Sequence, residues 1–169
     1  MSTLSRLPII TDDPALAGDA EELYDALEDL LRVYQFRDRD RICCFDISVS
    51  QCYALEGLVR RGGMTLNDLA AFLYIDKSTA SRVIDALERK GYVARSPHPD
   101  DRRAVYLEAT PAGRELEGRI RESILAEERQ LLADFAPEVR KSMTQLIRRL
   151  ARAASASVDA SGGSCCRIP

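Results

Sequence analysis

Residues 65–110 read TLNDLAAFLYIDKSTASRVIDALERKGYVARSPHPDDRRAVYLEAT, and the order of their signals decides the fold. Thr65-Leu66-Asn67-Asp68 has the form of a capping box with Asp in the place of Glu, so a short helix opens here and buries Leu66, Leu69, Ala70 and Leu73. Tyr74-Ile75 makes a turn, and Asp76 is an N-cap for a second helix whose buried face is Ala80, Val83, Ile84 and Leu87. Gly91 stops that helix just after Arg89-Lys90, whose charges complement the negative helix end. Two extended runs follow, Tyr92–Ser96 and Ala104–Ala109, separated by the polar segment Pro97-His98-Pro99-Asp100-Asp101-Arg102-Arg103. They predict a β-hairpin with a long turn.

Working outward, Ala20, Leu23, Leu27, Leu30 and Tyr34 recur at helical spacing and predict an amphipathic helix from about Asp19 to Asp40. A second helix begins near Ser48 or Ser50, carries Cys52, Leu55, Leu58 and Val59, and stops at Gly62-Gly63. Thr110-Pro111 is an N-cap with proline at the first helical position, opening a long helix to about Phe135. Pro137 starts another, with Val139, Met143, Leu146 and Leu150 on one face. Beyond Ala153 the chain is rich in Ala, Ser and Gly, which predicts a flexible tail. The organisation expected is an N-terminal arm at 1–18, helical segments at 19–47 and 111–153, a lobe at 48–110, and a cysteine-containing tail at 154–169. The fold class is mainly α with a small β-hairpin wing: a winged helix-turn-helix lobe plus a helical region. The apolar faces of the outer helices flank the lobe without a core of their own, so they need partners.

The formal net charge is −3, so the chain as a whole does not attract nucleic acid. Local charge differs. From Lys77 to Arg103 there are seven basic residues against four acidic ones, while acids gather at Glu21, Glu22, Asp25, Glu28 and Asp29. The second helix of the pair opens with Lys77, Ser78, Thr79, Ser81 and Arg82, small and donor-rich side chains suited to base edges and phosphates in a major groove. Arg95, Arg102 and Arg103 of the hairpin suit phosphates or the minor groove. Double-stranded DNA is therefore the expected partner.

Other classes find little support. No GxSxG, GxGxxG, P-loop or HExxH motif is present, and His98 is the single histidine, so acid–base and thiol catalysis are poorly supplied. No apolar run approaches the roughly 18–20 residues of a membrane span, and the N-terminus lacks the apolar core of a signal peptide. These features predict a cytoplasmic protein with no membrane partner and no required cofactor.

The chain resembles the MarR family of regulators. Ser50-Gln51, Thr65-Leu66-Asn67-Asp68-Leu69-Ala70, Lys77-Ser78-Thr79-Ala80-Ser81-Arg82, Asp85–Val93 and Pro99-Asp100-Asp101-Arg102-Arg103 carry the likeness, followed by Leu107, Thr110 and Gly113. It covers about residues 20–152. It implies a homodimer in which the first and last two helices interlock, a palindromic operator with half-sites roughly 10 bp apart, repression, and release by an effector.

Cysteines distinguish this chain within that likeness. Cys43, Cys44, Cys52, Cys165 and Cys166 are odd in number and include two adjacent pairs, which argues against a disulfide framework. Folding back of the junction before the second helix brings Cys43 and Cys44 toward Cys52, and the tail pair follows the last helix. Soft thiolates with almost no imidazole suit a thiophilic metal or metalloid, such as As(III), Sb(III) or Hg(II), as the effector. Two rivals stand beside this reading: cysteine oxidation, and a small aromatic ligand with silent cysteines.

Overall fold

The helix-turn-helix is built from local signals that satisfy their own backbone. A computed structural model of the chain describes residues 13–42, 44–98 and 105–160. The elements in order are α1 (Leu16–Ile42), α2 (Val49–Arg61), β1 (Met64–Thr65), α3 (Leu66–Phe72), α4 (Lys77–Arg89), β2 (Val93–Pro97), β3 (Val105–Ala109), α5 (Pro111–Leu132) and α6 (Pro137–Ala160). Ser48 caps α2 in a reciprocal box with Gln51, and Thr65 caps α3 in a second box with Asp68. At the other end of α2, Gly62 takes φ 78° and returns its N–H to Leu58 O at 3.1 Å. A residue with a Cβ is disfavoured in that left-handed conformation, which is why the helix stops on glycine.

The chain divides into two units, residues 1–40 and 41–169. In the first, α1 carries exposed apolar side chains at Leu16, Leu23, Tyr24, Leu30, Leu31, Val33 and Phe36. Its start at Leu16 shortens the expected arm by one turn, because Asp13 accepts the Ala15 N–H with its side chain and the Leu16 N–H with its carbonyl, setting the first turn earlier than Asp19.

The second unit has its core where α2, α4, α5 and the sheet meet. Leu55, Leu58, Leu69, Ile84, Leu87 and Leu107 are fully buried there, joined by Val93, Leu116 and Ile120. Truncating one such leucine to alanine costs about 2–5 kcal/mol. The sheet has three strands in the order β1-β3-β2, all antiparallel, rather than the two of a simple hairpin. Met64 pairs with Leu107 and Thr65 with Tyr106, so the segment before α3 is stitched to the returning strand of the wing. Two residues carry no alternation for a sequence pattern to reveal. The helix α6 also runs to Ala160, so residues 154–160, expected in the flexible tail, are helical. Alanine has the best helix propensity, and Ala153, Ala154 and Ala156 extend a helix already nucleated.

Candidate nucleic-acid interface

The lobe presents α4 with one face committed to the core. Ala80, Ile84 and Leu87 are buried, and Val83 packs against the same cluster. Lys77, Ser78 and Arg82 lie on the exposed side, with Thr79 and Ser81 half-buried at its margin. Lys77 and Arg82 are exposed, and neither forms an ion pair with another described residue.

The start of α4 is organised by Asp76. Its carboxylate accepts the Thr79 backbone N–H at 2.9 Å and the Thr79 hydroxyl at 2.6 Å, and it also accepts the Ser78 hydroxyl. The Ser78 hydroxyl first, then the hydroxyl and amide of Thr79, hold the Asp76 carboxyl far below the ordinary carboxylate range. The group is therefore a fixed negative charge at the mouth of the helix.

Arg95, expected from the sequence to contact DNA, is engaged by α4 within the lobe. Its guanidinium bridges Asp85 and Glu88 of α4, at 2.5 and 2.9 Å, and its side chain is 33% exposed. Both partners stand one helical turn apart, so the strand β2 is pinned to the outer side of α4 by a charge-assisted fork. The arginine positions the wing relative to the helix. Sequence spacing offers no sign of this, because the pairing joins a helix to a strand that only the tertiary fold brings together. Arg102 and Arg103 lie outside the described residues.

Among the cysteines, Cys44 is exposed in the turn after α1, and Cys52 is 7% exposed within the lobe core beside Leu55 and Leu58. The two thiols thus occupy different environments, one open to solvent and one packed as a small hydrophobe. Cys43, Cys165 and Cys166 lie outside the described residues. Among the described residues, no group of three or more His, Cys, Asp or Glu is placed to hold a metal ion. The Cys44 turn is tied to its surroundings on two sides. The Lys90 ammonium, at the end of α4, donates to the Asp46 carbonyl and pairs with its carboxylate at 3.3 Å, while Arg41 pairs with Glu127 and Arg119 stacks over Phe45.

A short helix, a tight turn, a helix with an outward basic face and a pinned wing define a winged helix-turn-helix regulator that binds DNA. The MarR family model matches residues 47–105. An uncharacterised HTH-type transcriptional regulator of Mycobacterium bovis is 31% identical over 153 residues, covering 90% of this chain and 99% of that one. A putative transcriptional regulatory protein for the hcr operon of Thauera aromatica is 29% identical over 98 residues, which is 58% of this chain and 59% of that protein's length. A MarR family protein from Bacillus stearothermophilus shares the fold at TM-score 0.75 and 22% identity, over 82% of this chain and 97% of its own. The chain belongs to the MarR family: it is a DNA-binding transcriptional regulator and not an enzyme. Among the described residues, no helix is long and apolar enough to cross a membrane.

Proposed function

We propose that this regulator acts as a cytoplasmic homodimeric repressor that lays α4 in the major groove of a palindromic operator and leaves it on meeting a thiol-reactive signal. The observation that carries the DNA-reading part is the pair of exposed cations, Lys77 and Arg82, on the open face of α4, which no other described residue pairs. Its test is the salt dependence of operator affinity. Removing one phosphate contact lowers the slope of log K against log salt by about one. Arg82→Met is expected to lower that slope by about one, whereas Arg95→Met, which frees β2 from α4, lowers thermal stability without removing a phosphate contact. An unchanged slope and affinity for Arg82→Met would refute the assignment.

The thiol-reactive release is favoured by the exposure of Cys44 in a turn fastened to the end of α4 through Lys90 and Asp46. A thiophilic metal or metalloid held by Cys44 with Cys43 and the Cys165-Cys166 pair is the effector proposed. Cys52 joins such a site only if the core opens, and no cofactor is required for DNA binding itself. Operator release titrated with arsenite, antimonite, Hg²⁺ and peroxide separates metalloid from oxidant. Salicylate tests the remaining aromatic-ligand alternative. A Cys43→Ser/Cys44→Ser variant that still releases normally removes the metalloid reading.

A further inference from the structure

A hydroxyl group has one proton to donate and two lone pairs to accept with. The protons of Ser78 and Thr79 are both committed to the Asp76 carboxylate, Thr79 Oγ1 at 2.6 Å from Oδ2 and Ser78 Oγ on Oδ1. What the two side chains have left to offer outward is acceptor capacity. Phosphate oxygens are acceptors, so hydroxyls in this state cannot bind them. In the major groove, the available donors are the amino groups of adenine N6 and cytosine N4; guanine and thymine present acceptors there. The Asp76 carboxylate, as the acceptor of both hydroxyl protons, fixes the polarity of its two neighbours.

We infer that Asp76 is a specificity-determining positioning residue, which turns Ser78 and Thr79 into acceptors and so makes them readers of amino-bearing bases, adenine or cytosine, on the contacted strand. The inference rests on α4 being the DNA-reading helix. It adds which half of the base alphabet these two side chains accept.

Asp76→Asn is the informative variant. Asparagine caps helices as well as aspartate does, so the start of α4 is retained. With an amide nitrogen in the place of Oδ2, residue 76 donates to Thr79 Oγ1, whose own proton is then released outward. Thr79 becomes a donor. The full-length chain and its Asp76→Asn, Thr79→Val and Ser78→Ala variants are each used to select duplexes from a random pool, and Kd is measured on the winners. Thr79→Val is expected to lose discrimination at one base position, with affinity falling about fivefold for one hydrogen bond. At that same position the unaltered chain selects adenine or cytosine and Asp76→Asn selects guanine or thymine. Because every base pair carries one amino-bearing base and one acceptor base, the readout is the reversal of the pair between the unaltered chain and Asp76→Asn. An unchanged base choice in Asp76→Asn overturns the inference while leaving the DNA-reading helix in place. If Thr79→Val and Ser78→Ala both leave affinity and selected sequence unchanged, these two side chains do not read bases and the inference falls, while the DNA-reading helix stands or falls by the salt slope of Arg82→Met.

Discussion

Gly113 sits where the first turn of α5 passes the end of α4, and nothing larger fits. A Cβ there would lie 2.1 Å from the Tyr92 carbonyl oxygen, a backbone atom already accepting the Thr110 N–H at 3.0 Å. Backbone cannot rotate away as a side chain can, so Gly113→Ala is expected to destabilise by about 3 kcal/mol. Gly118, exposed in the interior of the same helix, has nothing within 4 Å of where a methyl would stand. Gly118→Ala is therefore expected to stabilise by roughly 0.5–1 kcal/mol through helix propensity alone. Urea denaturation of the two variants reads both signs; equal effects would refute the packing account. Close backbone approach of this kind leaves no mark in a single sequence. The caps do: Ser48, Thr65, Asp76 and Thr110 are legible because each satisfies N–H groups two or three residues away.

At the scale of elements, the α2–α5 contact carries one ionisable group within its apolar seam. Glu117 is 9% exposed between Leu116 and Ile120, and burial pushes its carboxyl above the ordinary value of 4.5. Arg121 and Arg60 pull it back down while Glu56 pushes it up. The native state therefore favours the protonated form. The stability that proton brings is complete below the unfolded value near 4.5 and is lost as the pH rises through the folded one. Glu117→Gln is expected to melt higher than the unaltered chain at pH 7, with the advantage shrinking as the pH falls through the raised folded value and levelling off below 4.5. A constant difference across that range would show that burial does not set the titration. Element order from α2 to α6 is readable from periodicity and stops, since those are local. Three features are not. The strand β1 is too short to alternate, the last turns of α6 look compositionally like a linker, and Arg95 finds Asp85 and Glu88 only once β2 lies along α4.

At the scale of the whole molecule, apolar surface remains where a lone chain has no use for it. Leu131, Phe135, Val139, Leu146 and Ile147 are all exposed, and Val139, Leu146 and Ile147 share one face of α6. Covering a side chain of this size is worth about 1.5–3 kcal/mol. The proposed homodimer accounts for that face, and Leu146→Glu with Ile147→Glu is expected to leave monomers in sedimentation equilibrium and to abolish tight operator binding. A variant that stays dimeric would place the interface elsewhere. The same helix has a second attachment. Tyr74, in the turn before α4, adopts φ 53° and shares a 2.9 Å hydrogen bond with Ser155, 81 residues later in the chain. That contact closes a ring of chain through α4, the wing, α5 and most of α6. A ring transmits tension: fraying or ordering of the last turns of α6 is felt as a pull on the turn that aims α4. Amide exchange at Tyr74 and Ile75 thereby becomes a gauge of events at the far end of α6, quickening in Ser155→Ala without any change made near the DNA.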